Sequence, residues 1–157
     1  MLFTDGSVNV QSKVGFGVYL IVHDFEQSLD SLKNLVNMRR FENTSSTKLE
    51  LQTLLWALNE IKDERPKVII YTDSQNIIDL PGRRERLEKN NYSSKKNERI
   101  NNYKLYQEFY QIIDLLDYEL VKVRGHQPSS KKDKVHKIFT LVDRISRSAL
   151  RENETSL

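Results

Sequence analysis

The sequence predicts an α/β protein in which a five-stranded mixed sheet has helices packed on both faces. Five short segments have the apolar and β-branched composition of strands, whereas other segments repeat apolar residues every three or four positions, as helices do. Three strand segments come first, and the later strands alternate with helices, which is the order of a mixed sheet covered by helices. At 157 residues the chain fits one domain with its own core.

Three strands are predicted before the first long helix. Residues 1–4 form a short first strand, and the Asp5-Gly6 pair behind it is a common turn dipeptide. Residues 15–23 are rich in β-branched and aromatic side chains and predict the second strand. Residues 34–42 predict the third strand.

A long helix and a buried strand follow. From Thr47 the apolar positions take a helical period. One face of this helix carries Leu51, Leu54, Leu55, Leu58 and Ile61. Pro66 ends the helix, because proline interrupts its hydrogen bonds, and residues 67–72 are a short apolar run typical of a buried strand.

The segment after this strand has only brief helical signals. Asp73-Ser74 open a helical turn that Pro81-Gly82 stop. Residues 81–104 are highly charged and predict a basic protrusion, either a solvated loop or a protruding helix.

A helix, a strand and a last helix complete the prediction. The first of these helices has a stripe of Ile100, Tyr103, Tyr106, Phe109, Ile113 and Leu116. Residues 118–124 alternate as a strand does, and residues 125–134 form a basic loop. The last helix has an apolar face of Val135, Ile138, Val142, Ile145 and Ala149. The domain is predicted to span residues 1–150, followed by a polar tail over residues 151–157.

The formal net charge of +3 conceals two separate basic blocks. Residues 81–104 and residues 122–137 each carry a net charge of +5, whereas the rest of the chain carries −7. Positive charge gathered at two places favours an anionic partner that binds at defined sites.

Composition excludes several classes of site. With no cysteine, the chain has no disulfide, no thiolate zinc site and no cysteine nucleophile. No apolar run approaches the roughly 18–20 residues of a membrane span, and the N-terminus lacks a secretory signal pattern. We therefore expect a cytoplasmic protein without a membrane partner.

Four carboxylates lie where the predicted elements end or meet. Asp5 ends the first strand, Glu50 lies in the first turn of the long helix, and Asp73 ends the buried strand. Asp143 lies in the last helix, beside its apolar stripe. If they converge at one edge of the sheet, their mutual repulsion requires divalent cations between them. Two Mg²⁺ ions about 4 Å apart suit the hydrolysis of a phosphodiester.

Each carboxylate also has a purely structural interpretation. Asp5 could belong to a turn, and Glu50 could form a capping box with Thr47. Asp73 could cap the helical turn behind it, and Asp143 could pair with an arginine one helical turn later.

Histidines offer one further candidate. His126 lies in the second basic block beside a glycine, where a single histidine is more often an ordinary surface residue than a functional one. His23 and His136 have no neighbours in the sequence that would complete a metal site.

Four ordered motifs resemble those of type 1 ribonuclease H. They are FTDGS at residues 3–7, LEL at residues 49–51, YTDSQ at residues 71–75 and VRGH at residues 123–126. The similarity extends from about residue 2 to residue 150, with each motif on the matching element.

The resemblance implies a ribonuclease H-like fold and a metal-dependent endonuclease that hydrolyses the RNA strand of RNA–DNA hybrids. It implies two Mg²⁺ ions per site, with Mn²⁺ as an alternative, products with a 5′-phosphate, and little sequence specificity. We expect a monomer with the hybrid as its partner.

The family's roles carry over to matching positions. Asp5 would bridge both ions, Glu50 and Asp73 would complete the ion on the leaving-group side, and Asp143 would hold the other ion. His126 would assist proton movement or product release.

Substrate contacts are expected from two sets of residues. Small polar residues near the RNA sugar-phosphate would be Ser46, Thr47 and Ser74. Phosphates would be neutralised by Arg83, Arg84, Arg86, Lys89, Lys95, Lys96 and Arg99.

The chain departs from the family in two respects that bear on these residues. His126 and Asp143 are 17 residues apart, longer than is common, and Asp133 between them is the rival for the fourth ligand. Basic protrusions of the family usually contain tryptophan, whereas here Tyr92 or Tyr103 would have to replace it.

Two other functions remain open from the sequence. One is a non-catalytic nucleic-acid-binding module, although none of the four carboxylates is lost. The other is a DNA endonuclease or resolvase with a similar sheet, since a fold does not fix a substrate.

Overall fold

Five strands form one mixed sheet in the order β3-β2-β1-β4-β5. A computed structural model describes residues 1–64, 67–124 and 133–155. The strands are β1 (Leu2–Asn9), β2 (Val14–Ile21), β3 (Asn37–Phe41), β4 (Lys67–Thr72) and β5 (Asp117–Lys122). The first three pair antiparallel, whereas β4 pairs parallel with both β1 and β5. The predicted mixed α/β sheet is thus confirmed.

Helices cover both faces of this sheet. They are α1 (Leu29–Lys33), α2 (Ser46–Ile61), α3 (Gln75–Lys89), α4 (Tyr103–Ile113) and α5 (Lys134–Thr155). One core cluster joins α2, α3 and α4 to the sheet, and a second joins α1 and α5 to it. Leu2 belongs to the first cluster and Phe3 to the second, because successive side chains of a strand point to opposite faces. Within the described ranges, no helix has the length and apolar character needed to cross a membrane.

The first strand is longer than predicted. It does not end at residue 4, because β1 pairs with β2 through eight residues and includes Asp5 opposite Val18. Cross-strand pairing outweighs the turn preference of Asp5-Gly6. The turn lies farther on, where the Asn9 side chain accepts hydrogen bonds from the backbone N–H groups of Gln11 and Ser12.

The basic protrusion divides into a helical half and an irregular half. Helix α3 continues through Pro81, which the sequence predicts as its end, to Lys89. Ile77, Leu80 and Leu87 are buried along this helix, and the Tyr110 hydroxyl donates to the Leu80 carbonyl at 2.6 Å. These tertiary contacts offset the backbone hydrogen bond that the proline removes.

Two smaller differences concern the ends of elements. The short helix α1 is not predicted from the sequence; Ser28 caps it by accepting a hydrogen bond from the Ser31 N–H. The polar tail predicted to begin at residue 151 is helical as far as Thr155, where α5 ends.

Helix α2 lies close to β2 at Gly17. A Cβ atom at this glycine would overlap the side chain of Thr53, whose hydroxyl donates to the Leu49 carbonyl at 2.7 Å. Leu49 and Thr53 lie in the same turns of α2 as Glu50. The missing side chain therefore sets how closely this helix, and Glu50 with it, approaches the sheet.

We expect Gly17→Ala to lower the free energy of unfolding by about 1–3 kcal/mol, since an added methyl group in a filled space forces the neighbours apart. Urea denaturation measures this change. Gly82→Ala is the matched control, because Gly82 lies in α3 with nothing within 4 Å of the added carbon. That control should be neutral or stabilising by up to about 1 kcal/mol. Equal losses in the two variants would contradict the close-approach argument.

Candidate active site

Four carboxylates from four different elements line one open cleft of about 540 Å³. They are Asp5 in β1, Glu50 in α2, Asp73 directly after β4, and Asp143 in α5. A larger cavity of about 850 Å³ lies between α1 and α5 and contains none of the four. The four predicted carboxylates are therefore gathered in the smaller cleft.

Helix caps near the cleft are serines rather than the predicted residues. Ser45 caps α2 by accepting a hydrogen bond from the Lys48 N–H, so the capping box of Thr47 and Glu50 does not form. Ser74 caps α3 by accepting one from the Ile77 N–H at 3.3 Å. Glu50 and Asp73 are thus left available to the cleft.

Asp5 is the most buried member of the cluster, with only 9% of its surface exposed. Burial, then the charge of Asp73 and a hydrogen bond with the Asp143 carboxyl group, raise its pKa to about 9. In the protein alone, Asp5 is therefore largely protonated at neutral pH.

Glu50 and Asp73 also resist ionisation, because the pKa of each carboxyl group is raised. Burial raises the pKa of Glu50, although the Ser74 hydroxyl, which donates to this carboxylate, partly opposes the change. Desolvation in the cleft and the charge of Asp143 raise the pKa of Asp73.

Positive side chains on two elements partly balance this charge. Arg147 Nε donates to Asp143 Oδ1 at 3.1 Å, the pairing that the spacing of these two residues predicts. Both Arg147 and Lys122 lower the pKa of Asp73. Arg147 and Arg151 line the cleft but were not among the predicted site residues; the four-residue spacing from Asp143 to Arg147 is the sequence signal that points to the first.

The donor set fits a divalent cation. Asp5 Oδ2 is buried and has no hydrogen-bond partner among the described residues. Carboxylate oxygens are the ligands that Mg²⁺ and Mn²⁺ prefer, and a cation would relieve the repulsion that keeps Asp5 protonated. In the described ranges, however, no three histidine, cysteine, aspartate or glutamate side chains already form a ligand set. The cleft suits a cation because its donor atoms are carboxylate oxygens whose charge is unbalanced.

Other predicted site residues have different positions. Ser46 lines the cleft, whereas Thr47 is exposed outside it. Ser74 is buried, and its hydroxyl bonds inside the protein to Glu50 and Ile77. Little of the Ser74 side chain is open to solvent, and its predicted contact with substrate stays a prediction.

Asp133 and Asp143, the two candidates for the fourth metal ligand, have different positions. Asp133 precedes α5, is exposed, and accepts a hydrogen bond from the His136 N–H at 3.0 Å, so it caps this helix. It is not among the residues that line the cleft, whereas Asp143 is. His126 and the basic loop around it lie outside the described residues, and its predicted role stays a prediction.

Two arginines of the basic protrusion are held by other residues. Arg84 donates to both carboxylate oxygens of Asp114, at 2.6 and 2.8 Å, and to Glu88 at 2.8 Å. Arg83 donates to the Asn76 side chain at 3.1 Å and lies over the ring of Tyr106. These arginines tie α3 to its surroundings, and the phosphate contacts predicted for them stay a prediction.

The rest of the protrusion is available to a partner. Exposed basic side chains are Arg86, Lys89, Lys95, Lys96 and Arg99. Tyr92 is buried in the core, which contradicts its predicted role as a replacement for tryptophan. Tyr103 is half-buried beneath the guanidinium of Arg99, 4.9 Å from its ring centre.

Solved structures share this fold at low sequence identity. The foamy viral protease-reverse transcriptase in complex with dsDNA matches with a TM-score of 0.66 and 12% identity, over 94% of this chain and 93% of that chain. The same protein in complex with an RNA/DNA hybrid matches with a TM-score of 0.70 and 14% identity, over 94% of this chain and 19% of that chain. At such identities the similarity establishes the fold alone.

Sequence comparison identifies the family. The RNase H family model matches residues 1–142. A protein named Ribonuclease H from Caldicellulosiruptor saccharolyticus is 28% identical over 71% of this chain and 72% of its own length. Those of Acetivibrio thermocellus and Moorella thermoacetica are each 24% identical, over 88% and 98% of this chain and 90% and 94% of theirs. The prediction of a ribonuclease H enzyme is confirmed: this chain belongs to the RNase H family.

Proposed function

We propose that this chain is a metal-dependent endonuclease that hydrolyses the RNA strand of RNA–DNA hybrids. The observation that carries the proposal is the meeting of four carboxylates from separate elements in one cleft of an RNase H family member. The foamy viral relative of similar fold, which is described in complex with an RNA/DNA hybrid, supports this choice of substrate.

Asp5, Glu50, Asp73 and Asp143 would hold the metal ions. The chemistry that two divalent cations would supply there is Lewis-acid assistance to water and to the leaving oxygen of a phosphodiester. Mg²⁺ is the proposed ion and Mn²⁺ an alternative, because both prefer oxygen ligands.

The chain's own groups prepare the cleft for this chemistry. Ser74 orients the Glu50 carboxylate, and Arg147 orients the Asp143 carboxylate. Asp5 would give up its proton to bind a cation, since it is protonated only because its charge is buried among other carboxylates. The products would carry a 5′-phosphate.

Recognition would depend on the backbone of the hybrid and not on its bases. The exposed basic residues of the protrusion would contact phosphates, and the 2′-hydroxyl together with the helical shape would distinguish RNA from DNA. We therefore propose little sequence specificity.

A panel of end-labelled duplexes tests the function. The purified chain, with Mg²⁺ or Mn²⁺, is incubated with an RNA–DNA hybrid, duplex RNA, duplex DNA and a four-way junction. The expected result is cleavage of the hybrid alone, within its RNA strand. Cleavage of the DNA duplex or junction would favour a DNA endonuclease or resolvase, and tight hybrid binding without cleavage would favour a binding module. Products from a randomised hybrid that share one motif would refute the low specificity.

Substitution of two exposed lysines tests whether the basic protrusion binds the hybrid. We expect Lys95→Ala combined with Lys96→Ala to weaken hybrid binding and to reduce the slope of log affinity against log salt by about 2, roughly one for each lost phosphate contact. Fluorescence anisotropy in Ca²⁺, at several salt concentrations, measures this. Lys62→Ala is the control, because Lys62 lies at the far end of α2, outside the protrusion. An unchanged salt slope would exclude these lysines from the interface.

A further inference from the structure

Two serines connect the strand of Asp5 to the helix of Asp143. Ser7 and Ser146 have their hydroxyl oxygens 2.9 Å apart, although they are 139 residues apart in the chain. The Ser146 hydroxyl also lies 2.9 Å from the Asp143 carbonyl oxygen, to which it donates. The two hydrogen bonds thus run from β1 to the backbone of a cleft carboxylate.

The direction of these hydrogen bonds follows from the number of protons. A serine hydroxyl has one hydrogen, and that of Ser146 is used on the carbonyl of Asp143. Ser7 must therefore donate in the contact between the two hydroxyls. The order of donation is Ser7 to Ser146 to Asp143.

The position of each serine limits which groups its hydroxyl can contact. Ser146 is fully buried, so its hydroxyl depends on Ser7 and on the Asp143 carbonyl for partners. Ser7 lies two residues after Asp5, on the same side of β1, and lines the cleft with it. The serine pair is therefore a polar contact between the two elements whose carboxylates lie together.

Asp5 and Asp143 both line the cleft, so the spacing between β1 and α5 sets the distance between their carboxyl groups. Most other contacts of α5 with the sheet are apolar and set no fixed spacing, because such packing is not directional. The hydrogen bonds through Ser7 and Ser146 are directional and oppose any sliding of α5 along β1.

We propose that Ser7 and Ser146 are positioning residues, which hold Asp143 at the correct distance from Asp5 so that the cleft is arranged for Mg²⁺ before the ion binds. This inference rests on the proposed function, because it assumes that the four carboxylates bind the metal. Partners of metal ligands typically change metal affinity by about 10–100-fold when they are removed. Here the serines act on one ligand through its backbone, so the lower end of that range is expected.

Titration calorimetry with Mg²⁺ alone, at a temperature where all variants are folded, tests the proposal without the nuclease reaction. Ser146→Ala and Ser7→Ala should each raise the dissociation constant about tenfold. The double variant should bind no more weakly than the single variants, because either change breaks the same connection. Ser7→Thr, which keeps the hydroxyl, should restore affinity to within about twofold of the wild type.

Thr155→Ala is the matched control, since the Thr155 hydroxyl lies on the same helix and likewise donates to a backbone carbonyl three residues earlier, outside the cleft. This variant should leave Mg²⁺ affinity unchanged. If Ser146→Ala binds Mg²⁺ like the wild type and only its melting temperature falls, the pair is ordinary packing and the proposal is wrong. If Ser146→Ala does not fold, the half-buried Ser7 carries the same test. A wild type that binds no Mg²⁺ would instead overturn the proposed metal site itself.

Discussion

Asp73→Asn is expected to lower the rate of hybrid cleavage by about a thousandfold or more and to leave the fold intact. The substitution removes a ligand charge without changing the side-chain volume. Metal ions contribute several kcal/mol to stabilising charge in a transition state, and each 1.36 kcal/mol corresponds to a factor of ten in rate. Because Asp73 follows β4 and is exposed, no buried packing depends on it.

Single-turnover cleavage of a labelled hybrid at high Mg²⁺ measures this effect. Asp79→Asn is the matched control, since Asp79 is an exposed aspartate of α3 outside the cleft, and its variant should cleave like the wild type. Circular dichroism would show whether both variants fold. The metal-free Asp73→Asn protein should be slightly more stable than the wild type, because burial and the charge of Asp143 disfavour the Asp73 carboxylate in the folded protein. A folded variant that keeps more than a tenth of the wild-type rate would remove Asp73 from the proposed metal ligands.

Local sequence patterns predict most of the elements that carry the cleft. Helix α2 and strands β2 and β4 follow directly from helical spacing or from short apolar runs. Those patterns locate Glu50 and Asp73 correctly, one in the first turns of a helix and the other behind a strand. Periodicity is informative here because each element buries one face against the core.

Long-range contacts explain why two predicted element boundaries were wrong. Asp5-Gly6 looks like a turn, yet eight residue pairs with β2 keep it extended. Pro81 looks like a stop, yet buried side chains of α3 and the hydroxyl of Tyr110 hold the helix together across it. Neither partner is close in sequence, so local propensity alone could not reveal these outcomes.

The candidate site also depends on contacts between residues that are distant in the sequence. The convergence of four carboxylates depends on strand order, which puts β1 beside β4, and on the packing of α5 on the sheet. The sequence pointed to this convergence mainly through the resemblance of its motifs to a family. The serine pair had no such signal, because Ser7 and Ser146 are unremarkable residues until the fold brings their hydroxyls together.

Asp5 gives the metal-free protein an unusual dependence of stability on pH. Its pKa is about 9 in the folded chain, against an ordinary value of 3.8. Between about pH 4 and pH 9 the folded state therefore holds a proton that the unfolded state has lost. Stability must then fall as pH rises through this window, by at most about 1.4 kcal/mol per pH unit from this group.

Asp5→Asn should remove this loss, because an amide keeps the shape of the carboxyl group and has no charge to bury. In EDTA at pH 8 we expect the variant to be more stable than the wild type by several kcal/mol, and at most by roughly 6 kcal/mol, which this slope gives over about four pH units. The difference should be small near pH 4 and grow toward pH 9. Urea denaturation at several pH values measures it, with Asp63→Asn, an exposed aspartate beyond α2, as the control.

Mg²⁺ should reverse the order of the two proteins at pH 8. A cation in the cleft favours ionised Asp5, so the wild type gains stability with increasing Mg²⁺ by mass action, whereas Asp5→Asn gains much less. The same carboxylate would thus destabilise the protein alone and stabilise the complex with metal. A wild type that is already the more stable protein in EDTA at pH 8 would mean that other groups neutralise Asp5, and the unbalanced charge would no longer be an argument for a metal site.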